Sequence, residues 1–219
     1  RNATMAMPIV DEIESVHSSE EQIFISEEEA LDMMTQRSLV IIVDTHSPDF
    51  VESKELLNEA QRVVVIDHHR MMVKHINNAV VFYHEPYASS ASEMVSELVQ
   101  YIGNTVLSKE EADALLAGIM LDTKNFVLKS GVRTFEAAAY LRRRGADTVV
   151  VKKMFASNID TYKEKYSLIS TAEVYHGCAI ACTDESTPNV RVASAQAADE
   201  LLSIQGVNAS FVLFKTGKT

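Results

Sequence analysis

Cysteine and proline are scarce here, with two of the former and four of the latter in 219 residues. Cys178 and Cys182 are too few for a disulfide framework, and their spacing is not that of a zinc knuckle. Two reduced, partly buried cytosolic thiols are expected instead. With so little proline and 47% hydrophobic residues, extensive disorder is excluded. No secretory leader and no apolar run long enough to cross a bilayer occurs, so this segment reads as soluble. Basic charge is also in deficit. Twenty Lys and Arg face 31 Asp and Glu, a formal net charge of −11 with a pI near 5.1. That argues against a long nucleic acid held on a basic surface. An acidic protein still binds a phosphodiester where metal ions supply positive charge locally, so a small phosphorylated substrate is expected. Internal repeats and low-complexity tracts are lacking too.

What is present centres on VVVIDHHR, residues 63–70. Four apolar, mostly β-branched residues read as a buried strand that delivers Asp67, His68 and His69 into a turn. In an open α/β sheet, ligands gather outside the carboxyl ends of strands. Three ionisable groups in a row there need a partner, and imidazole and carboxylate are natural metal ligands. LVIIVDTH, residues 39–46, has the same form and presents Asp44 and His46. ALLAGIMLDTKNF, residues 114–126, reads as a buried helix or a helix-to-strand transition presenting Asp122 and Thr123. A strand-end aspartate taken singly reads as a helix cap. Three such endings, one of them Asp-His-His, point to a metal centre.

The rest of the chain alternates strands and helices. Ser26 with Glu29 and Ser108 with Glu111 form capping boxes, opening helices to about Gln36 and towards Asp122. Val51–Glu59 suits a short helix and Val80–Tyr83 a short strand. From Ser90, apolar residues at helical spacing run to a stop at Gly103. Thr134 is expected to cap Phe135–Arg144, with Gly145 at its end. This pattern implies an α/β fold with a mainly parallel, doubly wound sheet. Residues 148–174 read as a helical connector. Ala179–Thr183 and Val190–Ala193 read as strands, followed by a helix over Ala195–Ser203 and a strand over Ala209–Phe214.

DHH at 67–69, DTH at 44–46 and DTKNF at 122–126 resemble the later metal motifs of the DHH phosphoesterase superfamily. EPYASSASEMV, 85–95, and SGVRTFEAAAYLRRRGAD, 130–147, narrow the resemblance to the DHH–DHHA1 branch, which includes membrane-anchored bacterial cyclic-di-AMP phosphodiesterases. It implies a DHH domain over 1–158, then a connector helix and the start of a smaller, incomplete α/β DHHA1 substrate-binding domain over 159–219. Members open with a His-x-x-x-Asp-x-Asp motif that is not found before Asp44, because Asp11, Glu12 and Glu14 have other spacing. Nor is the glycine-rich, histidine-containing loop of the second domain found. The chain is therefore expected to be an internal segment carrying about half an active site, and inactive by itself.

The resemblance implies two-metal hydrolysis of cyclic di-AMP to linear pApA. Asp44 would bridge the ions, His68 and Asp122 would complete one shell, and His69 would face the substrate. Asp67 would orient an imidazole from behind, and His46 would either support a carboxylate in the same way or serve as a ligand itself. Mixed nitrogen and oxygen ligation favours manganese. Ser89 and Ser90, ahead of a helix, and Arg133, after a glycine turn, are candidate phosphate contacts, although simple N-capping suits the serines equally. Ser92 shares that position, and Arg142–Arg144 read as a solvated helix end. Met33, Met34, Met71 and Met72 read as packing residues, while His17, His75, His84 and His176 default to the surface. The expected partner is cyclic di-AMP or pApA, with a homodimer compatible and no long nucleic acid. Membrane contact is expected only through segments upstream, with this segment at the cytoplasmic face. An oligoribonuclease or pAp phosphatase of the same family and a non-hydrolysing cyclic-dinucleotide module stand as alternatives, and an inorganic pyrophosphatase suits the region after Asp147 less well.

Overall fold

The computed structural model of the chain describes residues 6–16, 22–102, 107–156, 158–184 and 187–215. Contacts divide it into two units, Arg1–Phe155 and Ala156–Thr219. His17 and Gly103, both singled out in the sequence, lie outside the described residues.

The first unit is built on three strands, β1 (Val40–Val43), β2 (Val63–Asp67) and β3 (Val81–His84), hydrogen-bonded in the order β1-β2-β3. Both pairings are parallel, with Val43 opposite Ile66 and Asp67 opposite His84. Side chains alternate across a strand, so Val63 and Val65 pack on one face with Ile42, Ile76 and Leu57. Ile66 packs on the other with Ala88, Met94 and Leu98. Helix α3 (Lys54–Glu59) thus covers one face and α4 (Ala91–Tyr101) the opposite one. A sheet covered on both sides explains why the central strand reads as an unbroken apolar run. Strand β1 lies at one edge, and its Ile41 and Val43 remain exposed.

Helix α1 (Met7–Val16) carries Asp11, Glu12 and Glu14, and α2 (Glu27–Met33) opens on the Ser26–Glu29 capping box. Beyond the sheet, α5 (Lys109–Asp122), α6 (Val132–Arg143) and α7 (Thr148–Met154) bury Leu116, Ile119, Leu141 and Val151 against one another. Gly118 lets α5 approach α4 closely, because a β-carbon there would lie 2.9 Å from Ser92 Cβ. Ser108 and Glu111 form the expected capping box, and α5 runs as helix throughout to Asp122.

The second unit comprises α8 (Ile159–Ser170), β4 (Glu173–Tyr175), β5 (Cys178–Thr183), α9 (Val190–Leu201) and β6 (Ala209–Phe214). Its sheet has the order β4-β5-β6, with β4 antiparallel and β6 parallel to β5.

Several expectations are corrected. Val190–Ala193 is not a strand but the first turn of α9, since Val190, Ala193, Ala197 and Leu201 are buried at helical spacing. Glu173 and Val174, expected at the end of a helical connector, belong to strand β4 (Glu173–Tyr175). Thr134 does not cap α6: it lies inside the helix, and its hydroxyl accepts the Gly131 N–H at 3.1 Å. Met33, Met71 and Met72 are exposed, and so is Cys182.

Candidate metal centre

Parallel strands put their carboxyl ends at one edge of the sheet, and that edge gathers the acids and histidines. Asp67 closes β2, while Asp44 follows β1 in a left-handed turn, φ 66°, with its N–H donated to the Ile66 carbonyl at 3.0 Å. Asp122 is the last residue of α5 and adds a carboxylate from another element.

Asp67 is fully buried and points away from solvent. Its Oδ1 accepts the backbone N–H groups of His68 and His69, at 2.9 and 3.2 Å, and His69 Nδ1 at 2.7 Å. Its Oδ2 bonds His46 Nδ1. Burial alone would push this carboxyl up, but the His69 and His46 hydrogen bonds outweigh it and hold the pKa below the usual carboxylate range.

His46 is buried as deeply, and both of its nitrogens are engaged. Nε2 accepts the Met72 N–H at 2.9 Å, so it carries a lone pair and Nδ1 carries the proton given to Asp67. His46 is therefore a support for Asp67, with no free nitrogen for an ion.

His68 differs. Its Nδ1 lies 3.3 Å from the Ala88 carbonyl, which assigns the proton to that nitrogen and leaves the Nε2 lone pair free. Nε2 is buried and makes no hydrogen bond. It stands 3.3 Å from Asp44 Oδ1 and 3.5 Å from Asp122 Oδ2. Donor atoms bound to one divalent ion at about 2.0–2.2 Å stand roughly 3–3.5 Å apart, which is this spacing. One donor atom each from Asp44, His68 and His69 also lies within 4.8 Å of the others.

The electrostatics agree with the geometry. Asp44, and behind it Asp122, raise the His68 pKa against the opposing effect of burial. Burial and the neighbouring Asp44 charge push Asp122 up. A carboxyl pushed up by a neighbouring negative charge, beside an imidazole that attracts a proton, marks a place where positive charge is stabilised. An orphaned buried imidazole nitrogen with two carboxylates at ligand spacing fits a divalent cation, and with oxygen and nitrogen donors a first-row or alkaline-earth ion suits it.

Two cavities adjoin the cluster. One of about 430 Å³ is lined by His68, His69, Asp122 and Ser89, among others. The larger, about 1060 Å³, runs along exposed β1 and includes Asp44, His46, Asp67 and His69.

The remaining candidates are engaged elsewhere. The Ser89 hydroxyl donates to Glu93 Oε2 at 2.6 Å, and the Ser90 hydroxyl accepts the Glu93 N–H at 3.0 Å as the N-cap of α4. Both serines are buried. Arg133 forks onto Glu97, with Nε to Oε1 at 2.8 Å and Nη2 to Oε2 at 2.6 Å, which raises its pKa. It lines a separate cavity with Tyr83 and Tyr101. Sequence reasoning missed Glu93. Its Oε2 also accepts the Thr134 hydroxyl at 2.6 Å, and its only signal was an acid on the buried side of an amphipathic helix. His84, assigned to the surface, is half-buried and places Nε2 2.6 Å from the His69 carbonyl.

These features have counterparts in known proteins. Residues 4–119 match the model of the DHH family, N-terminal domain. The chain is 49% identical over 195 residues to a cyclic-di-AMP phosphodiesterase of Geobacillus thermodenitrificans, covering 88% of this chain and 30% of that protein. It is 47% identical over 186 residues to the cyclic-di-AMP phosphodiesterase of Listeria monocytogenes, covering 84% and 28%. It thus spans under a third of the length of either relative. An exopolyphosphatase-related protein from Bacteroides fragilis shares the fold, with a TM-score of 0.73 at 19% identity, over 85% of this chain and 58% of that one. With the family model matching more than half of its length, the chain belongs to the DHH family.

Proposed function

We propose that this chain is the catalytic part of a metal-dependent phosphodiesterase that hydrolyses cyclic di-AMP to linear pApA. The observation that carries the reading is His68 Nε2, buried without a hydrogen bond between Asp44 and Asp122. The names of the relatives supply the substrate class. Manganese is the ion of choice for this donor set.

Asp44, His68 and Asp122 would hold a divalent ion, their donor atoms already standing at ligand spacing. Paired divalent ions neutralise phosphate charge, lower the pKa of a water and stabilise the leaving oxygen. Asp67 keeps the His69 Nδ1 proton engaged, which leaves His69 Nε2 to meet a phosphate oxygen or the attacking water. His46 holds Asp67 from behind. Ser89, Ser90 and Arg133 act in this reading through the framework, because their side chains are already bonded within it.

Residues 159–219 are assigned to a connector and the start of a substrate-binding domain. The same reading puts the unit at the cytoplasmic face of a membrane-anchored parent, attached through segments outside it. Among the described residues, no helix is long and apolar enough to cross a membrane.

Product analysis tests this. Cyclic di-AMP and pApA are incubated with manganese and either this chain or a longer one extended at both ends. Conversion of cyclic di-AMP to pApA by the longer chain is expected. Cleavage of pApA alone moves the assignment to an oligonucleotidase, and no turnover by either moves it to a binding module.

A further inference from the structure

The loop after Asp122 has an uncommon backbone. Lys124, Asn125 and Phe126 take consecutive positive φ values of 47°, 58° and 65°, and Lys129 follows at 53°. Left-handed conformations are strained for most side chains, and they persist where the surroundings over-determine them. Here they do. The Thr123 carbonyl accepts the N–H groups of Val127 and Leu128, at 2.9 and 2.7 Å, and Asn125 N–H reaches the Met120 carbonyl at 2.8 Å. The Thr123 hydroxyl accepts the Phe126 N–H at 2.9 Å, and the Phe126 ring stacks on Phe135 with centroids 5.5 Å apart. The loop is a fixed strut, and it carries Lys129.

Lys129 lines the cavity of about 430 Å³ beside the candidate metal centre, together with Arg70 and Tyr87. That volume lies within the range of small-molecule clefts, about 300–1,000 Å³. Neither Arg70 nor Lys129 forms an ion pair among the described residues, although acids outnumber bases in the chain by 31 to 20. Tyr87 is 93% exposed, so its ring has free faces. Lys129 acts electrostatically on Asp122 without pairing to it, and cations that form no ion pair beside a candidate metal centre suit an anion, as an exposed aromatic ring at the same cavity suits a base.

We propose that Lys129 and Arg70 grip a phosphate in this cavity while Tyr87 stacks on the attached base, forming a subsite for one nucleoside monophosphate unit of the substrate. The ligand's identity rests on the phosphodiesterase reading above.

The chain in magnesium buffer is titrated with AMP and, separately, with inorganic phosphate, followed by NMR. Lys129→Asn removes the charge and keeps a residue that tolerates positive φ. It and Arg70→Gln are each expected to weaken both ligands about fivefold or more. Tyr87→Ala is expected to weaken AMP about fivefold and to leave phosphate within about twofold. Manganese affinity, read by electron paramagnetic resonance, stays unchanged in all three. Unchanged AMP affinity in Lys129→Asn and Arg70→Gln, or no AMP binding by the unaltered chain, overturns the subsite. So does a loss of manganese affinity that parallels the loss of AMP. Turnover of cyclic di-AMP by the longer chain with an unaltered KM in Lys129→Asn sinks the subsite and leaves the phosphodiesterase reading standing. The converse, weakened phosphate binding without any turnover, supports the subsite and sinks that reading.

Discussion

Asp67 and His69 meet across 2.7 Å, carboxylate oxygen to Nδ1, and that same oxygen also collects the amide protons of His68 and His69. One buried atom therefore sets the turn and aims an imidazole. Asp67→Asn keeps the shape but puts an amide where two acceptor oxygens are needed. The expected cost is about 2–4 kcal/mol of stability by urea unfolding. Manganese affinity, read by paramagnetic resonance, should fall roughly 10- to 100-fold, as for other residues that support metal ligands.

The same residue carries a pH signature. Its folded-state pKa is depressed by the histidine hydrogen bonds against the effect of burial. The stability it contributes is therefore present above the unfolded-state pKa, about 3.9, and is lost as pH falls through the lower folded-state value. The stability gap between the unaltered chain and Asp67→Asn should be constant at neutral pH and close in acid. A gap that instead widens below about pH 4 would contradict this.

His46 and His68 should separate cleanly. His68→Ala removes a buried nitrogen that makes no hydrogen bond and is expected to lower manganese affinity by about two orders of magnitude or more. His46→Ala leaves all the proposed donors in place but orphans Asp67 Oδ2 and the Met72 N–H, so its main effect should be about 2–3 kcal/mol of destabilisation. Calorimetric melting and metal titration of both variants compare the two effects.

Glu93 ties the Ser89 loop to α6 through Thr134. Glu93→Ala strands two buried hydroxyls and should cost about 2–4 kcal/mol in urea unfolding, and Thr134→Val about 1–2 kcal/mol. The double variant should cost less than the sum, because both act on one network.

Gly118→Ala should destabilise by about 1–3 kcal/mol through overpacking of α5 on α4, since the new methyl would meet Ser92. Adding Ser92→Gly should return part of that loss. Thermal unfolding of the single and double variants reads it.

What could be read from the sequence was local. The Ser26 and Ser108 capping boxes, strand β2 and the Asp-His-His ending are each complete within a few residues. Asp44 and Asp122 were legible as strand and helix endings. The supports were not. His46 meets Asp67 from 21 residues away, Thr134 meets Glu93 from 41, and Arg133 meets Glu97 from 36. A serine ahead of a helix looks the same in sequence whether its hydroxyl caps the helix, serves a buried acid or awaits a phosphate. Val190–Ala193 misled for a related reason: Val190, Arg191 and Val192 alternate in polarity as a strand does, and only Ala197 and Leu201 further on reveal the helical period.

The left-handed turn at Asp44 also filters the chemistry that position can hold. At φ 66° the backbone tolerates glycine, asparagine, aspartate and histidine, and penalises longer or branched side chains. Of those four, aspartate alone is a carboxylic acid. Glutamate would bring the same charge on a side chain that this backbone disfavours. The main chain has therefore chosen the short carboxylate before any cation arrives.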